Sequence, residues 1–130
     1  RRIPARSVRG AAGSGGRRAM NTEARKRALR FLYTKVVEPL GFKFTPDAEL
    51  ADFLLNQEVA LEAKHGIPFC PCRPIRRDRA RDMQIVCPCI PFHRQHFDGM
   101  KRCWCGLFVH QDVNDPDSLP QMSPKELGLE

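Results

Sequence analysis

No apolar run in these 130 residues approaches the roughly 18 that a membrane-crossing helix needs, so the chain reads as a soluble protein. A secretory hydrophobic region is missing too, which argues against an oxidising extracellular setting. No cysteine lies outside residues 70–105. Small secreted scaffolds spread their cysteines through the chain, so this clustering weighs against a disulfide framework. The arginine run lacks the interleaved aromatics that single-stranded nucleic acids stack on, so nucleic-acid binding is set aside. The length allows one domain with a modest core.

Acids are scarce at the N-terminus. Residues 1–30 hold ten Lys/Arg and one acid, Glu23, whereas residues 31–130 are close to balanced. The net charge of +7 therefore describes the N-terminus. Residues 1–20 are rich in Arg, Gly and Ala and are expected to be a disordered basic segment. Three readings stay open for them: an organellar transit segment, upstream coding sequence with Met20 the true start, or a basic arm for an anionic surface. The expected domain is 21–130. Within it, residues 73–102 carry a net +5 and residues 106–130 a net −4. The positive field thus belongs to the cysteine region and favours an acidic partner there, against the plainer reading of a solvated helix face at Arg73–Arg81.

Two helices are expected to form the scaffold. The first places Ala28, Leu29, Leu32, Val36 and Leu40 at helical spacing, with Asn21 or Thr22 as cap and Pro39 and Gly41 as terminators. The second has Thr45 as N-cap, Pro46 at its first position, an apolar face of Leu50, Phe53, Leu54, Ala60 and Leu61, and Gly66 as its end. Beyond Gly66 the prolines exclude long regular elements. Short helices are expected near 76–83 and 93–98, and a strand at 107–109. The fold class is mainly α: a small helical domain with cysteine-bearing loops.

All six cysteines fall into three Cys-x-Cys pairs: Cys70/Cys72, Cys87/Cys89 and Cys103/Cys105. A disulfide scaffold would allow 15 pairings. Structural zinc usually takes Cys-x2–4-Cys knuckles and four ligands, which fits neither the spacing nor the number. A plain [4Fe–4S] electron carrier needs four thiolates and leaves two cysteines unexplained. A fourth reading uses all six: four hold a cluster and two form a redox disulfide beside it. In an extended Cys-x-Cys, side chains i and i+2 share a face, so one pair can place one sulfur on a cluster and one next to it. Proline between or after the cysteines stiffens those turns.

The ordered series Cys-Pro-Cys, Cys-Pro-Cys, Cys-x-Cys resembles the catalytic subunit of ferredoxin:thioredoxin reductase. The likeness covers roughly residues 22–110. It includes the Gly-Ile-Pro-Phe-Cys-Pro-Cys-Arg entry, the Cys-Pro-Cys-Ile-Pro continuation and the Leu-Phe-Val after the last pair. The resemblance implies a [4Fe–4S] cluster on Cys70, Cys87, Cys89 and Cys103. It implies a redox disulfide between Cys72 and Cys105, with Cys72 the exposed nucleophile and Cys105 the thiol at the cluster. It also implies ferredoxin as donor, thioredoxin or a thioredoxin-like protein as acceptor, and room for a small variable subunit. Arg73, Arg76 and Arg77 are expected to lower the Cys72 thiol pKa. Reducing chemistry of this kind belongs in a bacterial or archaeal cytoplasm, or in a plastid stroma if residues 1–20 are a transit segment. The alternative class is a non-enzymatic iron–sulfur carrier or sensor, or a zinc module.

The family's third pair is commonly Cys-His-Cys, whereas here Trp104 occupies the middle. Trp cannot titrate, so proton handling has to go elsewhere. His93, His96 and His110 are near in sequence, but each reads first as a surface or packing histidine. Trp104 reads first as cover over the cysteines. The stretch His93–Arg102 looks like an insertion relative to plant-type members.

Overall fold

The computed structural model describes residues 22–129, so the basic segment 1–20 and the cap Asn21 lie outside the described residues. The described chain is a small, mainly α-helical domain, as expected. Helix α1 covers residues 22–37. It ends in a 3-10 turn, Glu38–Leu40, at Gly41, whose φ of 86° is left-handed and whose N–H bonds back to Glu38. Strand β1 (Phe42–Phe44) follows, then helix α2 (Ala48–His65), the short helix α3 (Arg79–Asp82), helix α4 (Ile90–Met100) and strand β2 (Phe108–His110).

The two strands form an antiparallel pair in the register Phe42↔His110, Lys43↔Val109 and Phe44↔Phe108. The expected strand at 107–109 is therefore present one residue later. Its partner β1 was not foreseen, because three residues of Phe-Lys-Phe between a helix and a cap carry too little period to read.

The buried face of α1 is Leu29, Tyr33 and Val37; of the expected stripe, Leu29 is buried and Leu40 packs partly against the core, but Leu32 and Val36 turn outward. Leu32 and Val36 are 49% and 42% exposed, and Phe31 stands out at 63%. Two stripes on this helix have helical spacing and lie about one residue, or 100°, apart. Tyr33 decides between them. Its ring packs edge-on to Phe108 at 5.8 Å and its hydroxyl donates to Glu58 at 2.7 Å. No stripe count registers that hydrogen bond.

Helix α2 buries Ala51, Leu54, Leu55 and Glu58, while Phe53 is exposed. Its N-cap is Asp47, which accepts from the Leu50 N–H at 3.1 Å. Thr45, the expected cap, instead accepts from the Asp47 N–H. Gly66 ends the helix in the left-handed region, as expected. Outside the core, Arg25 makes two 2.7 Å bonds to Glu62, and the buried Lys26 reaches Asp52 at 2.7 Å. The exposed Arg25–Glu62 pair sets the register of α1 on α2 more than it stabilises it, since exposed pairs contribute about 0–1 kcal/mol each.

Helix α4 extends both ways beyond the expected 93–98 and bends at His93 (φ −133°). The acidic tail returns over it: the Met122 N–H meets Met100 Sδ at 3.2 Å. The principal core gathers Leu29, Val37, Phe42, Leu55, Ile90, Phe97, Met100, Leu107 and Phe108. A second, smaller cluster holds Phe69, Cys70 and Ile85. Trp104 and Cys105 pack against both, so the third cysteine pair sits on the seam.

Glu58 is fully buried, and its Oε2 has no N–H or O–H partner. Burial pushes its carboxyl up to about 8, against hydrogen bonds from Cys87 and Tyr33 that favour the anion. An unfolded glutamate titrates near 4.5, so between pH 4.5 and about 8 the folded chain holds a proton that the unfolded chain has lost. That contribution to stability is complete below 4.5 and is lost as pH rises through the window, by at most about 1.4 kcal/mol per pH unit. Denaturant titrations across this range should show stability falling with pH, and Glu58→Gln should flatten the slope. An equal slope in Glu58→Gln would place the effect elsewhere.

Candidate functional site

Backbone pairing brings the three cysteine pairs together. A short antiparallel bridge, Phe69↔Val86, ties the first two pairs together: the Cys70 N–H bonds Ile85 O at 2.7 Å and the Cys87 N–H bonds Pro68 O at 2.9 Å. Cys89 is the N-cap of α4 but makes no side-chain cap bond. A serine or aspartate there would turn its side chain onto the helix amides. The Cys89 thiol is directed to Cys70 instead. The third pair is set by a tight turn before β2. The Cys103 N–H bonds Phe108 O at 3.0 Å, the Gly106 N–H bonds Cys103 O at 3.1 Å, and Gly106 takes a φ of 81° that suits glycine.

The sulfurs of Cys70, Cys72 and Cys105 lie within 4.8 Å of one another, a constellation able to hold a metal ion. Cys70 and Cys72 Sγ are 3.0 Å apart, and Cys103 and Cys105 Sγ are 3.8 Å apart. Exposure divides the set. Cys70, Cys87, Cys89 and Cys103 are buried, Cys105 is half-buried and Cys72 is exposed. The one open sulfur therefore belongs to the group of three.

The electrostatics follow from crowding. Cys70 sits at the centre, and hydrogen bonds from Cys105, Cys72 and Cys89 hold its thiol well below the usual range. Burial, and then the Glu58 carboxyl, push Cys87 up. Cys89 is pushed up by its bond to Cys70 and by burial. Cys103 is lowered: burial opposes this, but bonds from Cys105 and the Phe108 N–H, the latter at 3.3 Å, outweigh it. Cys72 departs from expectation. A bond from Cys105 favours its thiolate, but its bond to Cys70 and desolvation by the surrounding groups win, and it is pushed up to about 12, although the residue is exposed. The adjacent arginines are not among the groups that dominate it. Arg73 is instead drawn onto the Trp104 ring, 4.1 Å from its centroid.

Four buried all-sulfur donors suit a thiophilic centre such as iron–sulfur or zinc. The chemistry and burial of these donors fit a metal centre of either kind, iron–sulfur included.

Trp104 is half-buried and closes the seam. His93 packs on it at 4.2 Å between centroids and Phe97 meets it edge-on at 5.0 Å. Its indole N–H is buried without an acceptor. The three histidines have packing partners: His93 bonds Gln84 O, His96 bonds Met122 O and His110 bonds Asp98. Arg73–Arg81 is not one solvated helix face, because α3 spans only Arg79–Asp82 and the preceding arginines lie on a loop.

The sequence reading missed Glu58 and Tyr33. The signal was available in part: Ala51, Leu54, Leu55 and Glu58 continue one helical stripe, so an acid stood on an apolar face.

A family described as "Ferredoxin thioredoxin reductase catalytic beta chain" matches residues 20–128, and the chain belongs to that family. A search of curated proteins found no match.

Removing the Trp104 ring should open the seam. Trp104→Ala is expected to lower stability by up to about 3 kcal/mol, less than for a fully buried ring. It should also speed alkylation of Cys105, with Trp104→Phe restoring most of the protection. Unchanged alkylation of Cys105 in Trp104→Ala would show that the indole is not its cover.

Proposed function

We propose that this chain reduces a protein disulfide of the thioredoxin type with electrons from ferredoxin. Cys72 and Cys105 serve as the redox pair, and Cys70, Cys87, Cys89 and Cys103 as ligands of a [4Fe–4S] cluster. The observation that carries the reading is the division of the six thiols. Four are buried, while Cys72 is exposed within 4.8 Å of Cys105 and Cys70. When bound, the cluster supplies one-electron redox capacity, which suits a ferredoxin donor.

The chain's own residues do the exchange. Cys72, the open sulfur, attacks one sulfur of the acceptor disulfide as a thiolate and forms a mixed disulfide. Cys105, beside it, then attacks Cys72. This closes the Cys72–Cys105 disulfide and releases the acceptor as a dithiol. The balance is one dithiol and one disulfide on each side. The contact with Cys70 favours the protonated form of the Cys72 thiol. Engaging Cys70 as a ligand would remove that contact and free Cys72.

Trp104 packs beside Cys105 on the seam and carries no titratable proton. The reaction belongs in a reducing interior compartment. Among the described residues no helix is long and apolar enough to cross a membrane.

A second reading has one observation in its favour. The three sulfurs of Cys70, Cys72 and Cys105 are themselves close enough to hold a single metal ion, as in a non-catalytic zinc or iron module. In that case Cys72 is a ligand, not a nucleophile.

Variants separate the two. In anaerobically purified chain, Cys72→Ser should keep its iron and sulfide but lose thioredoxin reduction. Cys87→Ser should lose the iron as well. Loss of metal from Cys72→Ser, with Cys87→Ser retaining it, would exchange the roles and favour the three-cysteine module.

A further inference from the structure

The exchange chemistry leaves one feature unused. Arg73, Arg76, Arg81 and Arg94 line a cleft of about 530 Å³ together with Trp104 and His93. That volume lies within the range of about 300–1,000 Å³ typical of sites for small organic ligands. Asp82 is the sole carboxylate on the wall among the described residues. It is buried and accepts from the backbone N–H of Arg76 at 2.9 Å, so it is occupied by its own loop. Arg94 has Asp98 at 3.3 Å, and Arg81 reaches Asp78 only at 3.9 Å. Among the described residues, no carboxylate pairs with the side chain of Arg73 or Arg76. The cleft is thus a cationic hollow with an aromatic floor and unmatched guanidinium groups.

Its position follows from the chain. Cys72 directly precedes Arg73, Cys105 directly follows Trp104, and Arg73 lies on the Trp104 ring at 4.1 Å. The cleft wall is therefore joined covalently, on both sides, to the two sulfurs of the proposed redox pair. The two cysteines adjoin the lining residues Arg73 and Trp104 along the chain and are not themselves part of the wall. The far wall comes from the tail, through Pro124 and Leu129, so a ligand would be enclosed by distant parts of the chain. Guanidinium forks match carboxylate and phosphate oxygens.

We propose that this cleft is the subsite for the anionic group of a low-molecular-weight disulfide, R–S–S–R bearing a carboxylate or phosphate, which the chain reduces directly. The inference rests on the reading of Cys72 and Cys105 as a redox pair. Cys72 thiolate attacks one sulfur of the substrate, the S–S bond breaks, and the first R–S⁻ leaves. Cys105 thiolate then attacks Cys72 and expels the second R–S⁻. The chain's dithiol is oxidised to its disulfide, the substrate is reduced to two thiols, and the two protons lost by the cysteines end on the products.

The test uses three disulfides of graded charge on chain reduced beforehand, with its metal retained and excess reductant removed. They are dithiodiglycolate (anionic), bis(2-hydroxyethyl) disulfide (neutral) and cystamine (cationic). At low salt, thiol release should fall in that order, by about tenfold at each step, the size that a pair of partly exposed charge contacts supplies. In the double variant Arg76→Gln/Arg81→Gln, the anionic-to-neutral ratio should collapse toward one. Equal rates for the three probes, or a ratio that persists in the double variant, would overturn the proposal. If none of the three reacts, the redox pair itself has been misassigned. Calorimetry of dithiodiglycolate binding to Cys72→Ser then decides the cleft alone: salt-sensitive binding supports the subsite and no binding overturns it. If the double variant loses thioredoxin reduction while the small-disulfide ratio stays intact, the cleft serves protein docking and the proposal fails.

Discussion

Everything at the site depends on sulfur atoms being held closer than they would choose. Cys70 and Cys72 Sγ stand 3.0 Å apart, and Cys103 and Cys105 Sγ 3.8 Å. Deprotonated thiols at such distances repel, and buried ones cannot call on water to screen them. The backbone supplies the constraint. A bridge at Phe69↔Val86, the start of α4 at Cys89 and the tight turn into β2 each fix one Cys-x-Cys pair. Of these devices the turn into β2 engages a sulfur, through the Phe108 N–H on Cys103 Sγ, whereas Cys89 makes no cap bond to its helix.

The scaffold exists to hold those three devices in register. Helices α1 and α2 bury their apolar faces against β1, β2 and α4, and three of the cysteines belong to that same core. Cys70 belongs to the smaller cluster with Phe69 and Ile85. Trp104 and Cys105 touch both. The two clusters therefore cannot separate without exposing the sulfurs, which ties retention of the site to packing. Glu58 links the helices to the centre, since it receives the Tyr33 hydroxyl on one side and has the Cys87 thiol on the other.

Much of this was legible in the sequence, but unevenly. The cysteine pairs and their order carried the family likeness, because few chemistries ask for three such pairs. The positions of α2 and its terminator Gly66 were legible because a glycine after an apolar period marks a helix end. The rotation of α1 was not, since Leu29–Leu32–Val36 and Leu29–Tyr33–Val37 are equally good stripes. The choice is made by a hydrogen bond to a residue 25 positions away. The strand β1 was not legible either, because its identity comes from a partner 64 to 68 residues on, from Phe44↔Phe108 to Phe42↔His110. The arginines read as a diffuse positive field, whereas the structure draws four of them into one cleft. Charge counting places a field on a segment but not on a side of the molecule. The expected lowering of Cys72 failed for a related reason: sequence neighbours are not spatial neighbours, and the sulfurs, not the guanidiniums, act on it most strongly.

The central claim is that six thiols divide into four that bind metal and two that exchange. The most direct measurement counts both on one anaerobic sample: iron, sulfide and zinc per chain, with the thiols open to alkylation before and after mild reduction. The account predicts about four irons and four sulfides, and two thiols that become alkylatable only after reduction. About one zinc without sulfide, or metal that departs when Cys72 and Cys105 are alkylated, would contradict it.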